Sequence, residues 1–328
     1  MKNKPIIIVS GEPYSIFYEI FFKIFKSNYF IKYKRPVILI GSKKIIEMQM
    51  QKMNFSYKIN LVKENQLKNI KLDKKKINLI NVKINFKKPF GKISNKSSRY
   101  IKQCFNIAIN IMKKKNGYAL INGPISKKHF FKGKYNGVTE FLAHKTNNKN
   151  NEVMLIYNKS LAVCPITTHI PLKDVFKKIS SKLILKKIIM INEFYKRNLK
   201  KTPRFAITGL NPHCESNHIN NEEEKIIIPA IKKAKNKGLR VKGPFPADTL
   251  FIKNNLKNFD VIIGMYHDQV ITPLKTLYNF NAINITLGLP FIRISPDHGT
   301  NNQMLGKKKS DPTSLKEALL FLKKLNEN

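Results

Sequence analysis

A chain of 328 residues with 42% hydrophobic content has ample material for a buried core, in one large α/β unit or two smaller lobes. Its formal charge of +42 invites comparison with nucleic-acid binders, but the six arginines and 56 lysines are scattered along the whole chain, with no zinc finger, helix-turn-helix pattern or aromatic-basic RNA motif. No nucleic-acid partner is expected, and the charge is read as an attraction for small anionic substrates.

The elements are taken in chain order. A strand is expected at Pro5–Ser10, and its apolar run of about five residues is too short for a secretory or membrane segment, which need ~7–15 and ~20. Three widely spaced cysteines, Cys104, Cys164 and Cys214, form no disulfide framework, so a cytoplasmic protein with no membrane association is expected. A helix follows at Ile16–Phe25, then a strand at Pro36–Ile40, a helix at Lys43–Met53, a strand at Ile77–Val82, a helix at Ser97–Lys115 and a strand at Tyr118–Ile121. Asn122-Gly123-Pro124-Ile125-Ser126-Lys127 then turns and supplies a lysine. Gly137-Val138-Thr139-Glu140 opens a helix whose free N–H groups and Thr139 hydroxyl suit a phosphate.

In the second half, Thr146–Asn151 reads as a polar loop, and strands are expected at Val153–Tyr157 and Leu161–Thr168. Helix Ser180–Lys200, strand Arg204–Thr208, helix Glu222–Lys237, a polar loop at Asn254–Asn258, strand Val261–Met265 and helix Thr313–Asn326 complete the pattern. Gly243–Thr249 is a turn-rich loop carrying Asp248. Arg293 stands inside the apolar run LGLPFIRIS of a chain that otherwise prefers lysine, where a guanidinium suits a bidentate grip on phosphate or carboxylate. Asp297-His298-Gly299-Thr300 resembles a nucleotide-contacting loop, although a GxGxxG fingerprint is absent.

Three histidines stand just past strand-like runs: His169, His213 and His267, separated by 44 and 54 residues. Only a fold that gathers strand ends along one edge brings such residues together, and a parallel α/β sheet does so. Three neutral imidazoles there make a site for a divalent metal, with Asp268 available to hold a ligating ring in one tautomer. His129, His144, His218 and His298 have weaker contexts, and Cys214 is disfavoured as a ligand because adjacent residues in extended chain point apart. The expected architecture is two-lobed α/β/α with a cleft between the lobes.

The segments NGPISK, GVTEFLA, TTHIPLKDV, GLNPH, GPFPADTLF, MYHDQ, NITLGLPFIR and DHGT occur in this order. Together they resemble the 4-hydroxythreonine-4-phosphate dehydrogenases of vitamin B6 (pyridoxal 5'-phosphate) synthesis. The resemblance implies the isocitrate/isopropylmalate dehydrogenase-like fold in a single unit of two intertwined lobes, near 1–125 with 276–328, and 126–275. It implies a homodimer with its active site near the interface, and a divalent metal (Zn2+, Mg2+ or Co2+) on His169, His213 and His267, ligands that the family draws from both subunits. Substrate contacts are implied at Val138, Thr139, Lys275, Asn284 and Arg293, and the loop Asp297, His298, Gly299 and Thr300 is the candidate cofactor contact. The implied reaction is NAD- or NADP-dependent oxidation of the C3 hydroxyl of 4-phosphooxy-L-threonine, followed by loss of CO2 to give 3-amino-2-oxopropyl phosphate. Asp248 and Asp268 are the candidate proton acceptors.

The chain departs from the family pattern in places. A substrate-contacting histidine of the motif GHTE becomes Val138, and loss of one hydrogen bond to a charged group costs ~1.5–3 kcal/mol. In the motif GDPxGIGPE, glycines become Ser15 and Phe17 and the proline becomes Tyr18; after His213 the usual AGE reads Cys214-Glu215. These changes leave open a relative acting on another phosphorylated hydroxy acid, of threonate or erythronate type, and a catalytically silent metal- or ligand-binding relative.

Overall fold

β-branched and aliphatic runs of four or five residues form most of the strands, and longer amphipathic stretches form the helices that flank them. The computed structural model of the chain describes residues 4–27, 35–67, 72–214 and 221–327. Along the chain the strands are β1 (Ile6–Val9), β2 (Val37–Gly41), β3 (Ile59–Leu61), β4 (Ile77–Asn81), β5 (Ala119–Asn122), β6 (Val153–Tyr157), β7 (Ala162–Pro165), β8 (Phe205–Thr208), β9 (Val241–Phe245), β10 (Val261–Gly264), β11 (Ile283–Leu287) and β12 (Ile292–Pro296). The chain divides into two compact units, Met1–Asn150 with Leu289–Lys323 and Asn151–Gly288 with Lys324–Asn328. The divisions therefore fall later than the expected 125/126 and 275/276. Residues 126–150 stay with the first unit because Phe131, Phe141 and Leu142 are buried in one apolar cluster with Ile7, Val9 and Leu120.

In the first unit the strand order is β3-β4-β2-β1-β5-β12, and among the described residues the strands pair parallel throughout. β1 is wholly buried, as expected for a strand covered on both faces. Helix Ser98–Lys113 turns Tyr100, Ile101, Cys104, Phe105, Ala108 and Met112 into the core, a spacing that makes one apolar stripe. The chain runs from β1 to β2 on one side and returns to β5 on the other, so the order reverses between β1 and β5. There the strand ends press together: Glu12 N–H donates to the Pro124 carbonyl at 2.8 Å. Gly11 has φ +75°, and a Cβ on it would lie 2.3 Å from the Pro124 oxygen, so only glycine fits.

The second unit has the order β11-β6-β7-β10-β8-β9. Its sheet is mixed, where a parallel one was expected: β6 runs antiparallel to both β7 and β11. The link Asn158–Leu161 is too short for a crossover helix and closes as a turn, with Asn158 N–H donating to the Leu161 carbonyl at 3.0 Å. β7, β10, β8 and β9 are mutually parallel. The core holds Val163, Ala206, Ile262, Val270 and Leu274. One expectation fails locally. Asn254–Asn258 is not a loop throughout, because Lys253–Leu256 is a short helix. His267 stands just past β10, as expected, and there begins helix His267–Tyr278.

At the start of β10, Asp260 accepts from Lys201 Nζ at 2.6 Å and from Arg204 Nε at 3.1 Å. Burial would raise its pKa, but the hydrogen bonds from Arg204 and Lys201 outweigh burial and hold it below the usual carboxylate value. A lowered folded pKa means stability present above the unfolded pKa and lost as pH falls through the folded one. Asp260→Asn is therefore expected to destabilise the protein by ~1 kcal/mol near neutrality, because both cations are half-exposed. The penalty should vanish below the acid range; urea unfolding of both proteins at several pH values measures it, and a pH-independent difference would contradict it. Among the described residues no helix is long and apolar enough to cross a membrane.

Candidate active site

In the first unit, β5 and its neighbour β12 bring Asn122 and Arg293 together. Arg293 is buried (2% exposed). Its Nε donates to Asn122 Oδ1 at 2.8 Å and its Nη1 to Thr139 Oγ1 at 3.4 Å. Burial pushes the guanidinium pKa down to about 10, opposed by the Glu140 carboxylate. The group therefore stays cationic at neutral pH. Thr139 lies in the first turn of helix Val138–Lys145, whose N-cap Gly137 supplies no side-chain cap. A buried guanidinium, a hydroxyl and a helix start form a grip for phosphate or carboxylate. Val138 points its chemistry elsewhere: it packs on the apolar cluster containing Phe131 and Phe141.

The altered segment Gly11–Glu19 is accommodated without strain. Its sole positive φ is at Gly11, and Phe17 opens helix Phe17–Lys26 with ordinary helical geometry. Phe17 and Tyr18 are fully buried. The Phe17 ring lies against Gly123, where an added Cβ would come within 2.8 Å of it. Tyr18 Oη sits 3.2 Å from Tyr100 Oη, which is 3.0 Å from Ser10 Oγ. Aromatic rings thus occupy the positions that the family motif leaves to glycine and proline. The segment also meets the candidate cofactor loop. Ile16 N–H donates to the Thr300 carbonyl at 3.2 Å, and Asn302 Nδ2 donates to the Tyr14 carbonyl at 3.2 Å. In that loop Asp297 N–H donates to Ser314 Oγ at 2.6 Å and His298 Nδ1 to the Gly299 carbonyl at 3.1 Å. Space beside Gly299 is open, so a ligand can approach its backbone.

The second unit carries His169, His267 and His213 on the segments that follow β7, β10 and β8, three consecutive strands of its sheet. His169 and His267 come together, ring centroids 5.6 Å apart. His267 Nδ1 donates to Asp268 Oδ1 at 2.6 Å, which leaves Nε2 as the ligating nitrogen. His213 is not brought into a three-ligand group with them, and among the described residues no three His, Cys, Asp or Glu side chains are close enough to hold a metal ion. The donor chemistry fits a divalent metal: two imidazoles side by side, one with its tautomer held by a carboxylate. His213 has φ 58° and ψ 8°, in the left-handed region, and Cys214 follows at φ 59°. Glu223 anchors this turn. It accepts from Leu210 N–H at 2.7 Å, Asn211 N–H at 2.9 Å and Asn211 Nδ2 at 2.9 Å.

The remaining predicted residues divide in the same way. Asn284 on β11 has a buried Oδ1 with no hydrogen-bond partner among the described residues. Lys275 Nζ lies 5.7 Å from the Phe280 ring centroid. Asp248 is exposed and accepts from Thr249 N–H in its own helix start, and Asp268 is committed to His267. Among the histidines of weaker context, His129 pairs with Asn95 and His144 with Tyr135; His218 lies outside the described residues. No disulfide joins the three cysteines, and burial pushes the Cys104 and Cys164 thiols up to about 12 and about 11. Asn122, Glu223 and Gln269 are partners that the individual histidine and arginine readings missed. Asn122 and Gln269 stood within the quoted segments NGPISK and MYHDQ, whereas nothing in the charged run at 222–224 marks Glu223.

A mixed α/β architecture with a buried anion grip and clustered imidazoles defines a class of small-molecule enzymes, and comparison with known proteins narrows it. The family described as pyridoxal phosphate biosynthetic protein PdxA matches residues 32–322. A 4-hydroxythreonine-4-phosphate dehydrogenase of Sulfurihydrogenibium sp. (strain YO3AOP1) is 37% identical over 96% of each chain. A D-threonate 4-phosphate dehydrogenase of Cupriavidus necator is 38% identical over 70% of each. The crystal structure of a 4-hydroxythreonine-4-phosphate dehydrogenase from Burkholderia phymatum superposes with a TM-score of 0.78, at 30% identity and 98% coverage of both chains. The chain belongs to the PdxA family.

Proposed function

We propose that the protein is a metal- and NAD(P)-dependent dehydrogenase of vitamin B6 biosynthesis that oxidises 4-phosphooxy-L-threonine at its C3 hydroxyl. The 2-amino-3-oxo acid formed loses CO2 to give 3-amino-2-oxopropyl phosphate. The observation that carries this reading is buried Arg293, held by Asn122 and beside Thr139, in a chain of this family. A bound nicotinamide would supply the hydride acceptor for this oxidation, the hydroxyl proton would pass to a base, and decarboxylation would then break the bond to the carboxylate carbon.

Arg293 and Thr139 hold an anionic group of the substrate, so that the reacting carbon is oriented before hydride transfer. Asn284 Oδ1, a buried acceptor, takes a hydrogen bond from a substrate hydroxyl or ammonium, and Lys275 adds positive charge. Asp268 fixes the His267 tautomer and so is a positioning residue; the proton acceptor role falls to Asp248 or to solvent. His169, His213 and His267 would hold a divalent metal, which when bound supplies Lewis acidity toward the substrate oxygens. Asp297–Thr300 would hold the cofactor. The active form is a cytoplasmic homodimer, consistent with cysteines that form no disulfide and with a single chain that pairs only two of the three imidazoles: a second copy would supply the third.

A second reading, oxidation of a phosphorylated threonate, is favoured by Val138, whose apolar packing leaves no hydrogen bond for an amino-acid head group. The purified protein with Co2+ and NAD+ or NADP+ distinguishes the two. Turnover of 4-phosphooxy-L-threonine well above that of D-threonate 4-phosphate supports the first; the reverse order assigns the chain to the second.

A further inference from the structure

The parallel ladder between β10 and β8 ends at Ile263 and Ile207. Beyond it, one chain runs on through Thr208 and Gly209 toward His213, and the other through Gly264 and Met265 toward His267. Pairing between these two strands stops there, although each continuation still bonds its other neighbour, Gly209 N–H to the Phe245 carbonyl and the Met265 carbonyl to Thr167 N–H. A single side chain takes over. Gln269 Oε1 accepts from Met265 N–H at 2.7 Å and from Thr208 Oγ1 at 2.8 Å, and its Nε2 donates to the Gly209 carbonyl at 2.8 Å. The amide thus ties both continuations, two residues before His267 and four before His213.

An amide is the group that this position requires. A carboxylate of the same shape keeps the two acceptor contacts but sets an oxygen against the Gly209 carbonyl; an apolar chain loses all three bonds. The surroundings are shaped to it as well. A Cβ on Gly264 would lie 2.4 Å from Val270 Cγ1 and 3.0 Å from Gln269 Oε1, so glycine there leaves both side chains their places. His213 itself sits in a left-handed conformation, which persists in a non-glycine residue only where neighbours over-determine it. Gln269 bonds the Gly209 carbonyl and Glu223 the Leu210 and Asn211 N–H groups, so both hold the backbone that leads into that turn.

We propose that Gln269 is a positioning residue whose amide sets the spacing of the His213 turn and the His267 helix start, and thereby the divalent-metal affinity of this edge. The inference rests on the proposed metal role of these histidines. It deepens that role by assigning its support to a residue that touches neither metal nor substrate.

Full-length protein stripped of metal and titrated with Co2+, followed by its visible absorption, tests this. Gln269→Met is expected to weaken Co2+ binding ~10–100-fold, as removal of residues that orient ligands does. Gln269→Glu, which keeps the Thr208 and Met265 contacts, should fall between the two. Thermal unfolding of the metal-free proteins separates a folding defect from a loss of affinity, and if Gln269→Met does not fold, Gln269→Glu against the unsubstituted protein decides. Tight Co2+ binding by both variants, within about twofold of the original, would overturn the role of Gln269 while leaving the metal reading intact. No Co2+ binding by the unsubstituted protein would overturn both.

Discussion

Replacing Arg293 with methionine is expected to lower kcat/KM for the phosphorylated substrate by about 10²–10⁴. Two hydrogen bonds to a charged group, at ~1.5–3 kcal/mol each, set that range. The effect on folding runs separately. Asn122 Oδ1 loses its buried donor at 2.8 Å, an unsatisfied acceptor that costs ~1–3 kcal/mol. Arg293→Lys separates charge from geometry, because it restores a cation without the planar fork. It should recover part of the stability and little of the turnover. Steady-state kinetics with urea unfolding of both variants provide the check, and a methionine variant with unaltered kcat/KM would remove Arg293 from the site.

His267→Ala is expected to abolish both metal retention and turnover. The ring is one of the two that stand together, and Asp268 already holds its Nδ1 side. His169→Ala should behave alike. Equilibrium dialysis against Zn2+ with measurement of bound metal reads the effect directly. Asp268→Asn keeps the ring but weakens its orientation, so a ~10–100-fold loss of affinity is expected rather than a complete one. Retention of a full metal complement by His267→Ala would contradict the proposed ligand set.

The strands that the apolar runs foretold are those buried on both faces, such as Pro5–Ser10 and Val261–Met265, because uninterrupted burial leaves an uninterrupted apolar run. The missed strands lack that signal. β9 carries Lys242, Gly243 and Pro244, while β11 and β12 carry Asn284 and Arg293, polar residues that the neighbouring strands or a ligand must satisfy. The helix at His267 was hidden because it begins directly after a strand and contains Pro273. The antiparallel course of β6 depends on the length of one turn, which the apolar pattern does not encode.

The candidate site was legible where rare residues stood out. Arg293 was conspicuous in a lysine-rich chain, and three histidines recurred after strand-like runs. Their support was not legible, because Asn122, Glu223 and Gln269 are ordinary polar residues whose roles come from partners 171, 12 and 61 positions away. The aromatic replacements in Gly11–Glu19 illustrate the same limit. Phe17 replaces a glycine of the family motif, yet the chain begins a helix there and buries the ring against Gly123.

The most direct test joins the anion grip and the imidazoles in one assay. Protein freed of metal by chelation is mixed with 4-phosphooxy-L-threonine and NAD+ or NADP+, and the reduced-nicotinamide absorbance is followed before and after addition of Zn2+ or Co2+. The proposed function predicts no reduction without metal and sustained reduction after it, with CO2 released in equal amount. Absence of reduction with every metal and both cofactors, or turnover indifferent to chelation, would contradict it.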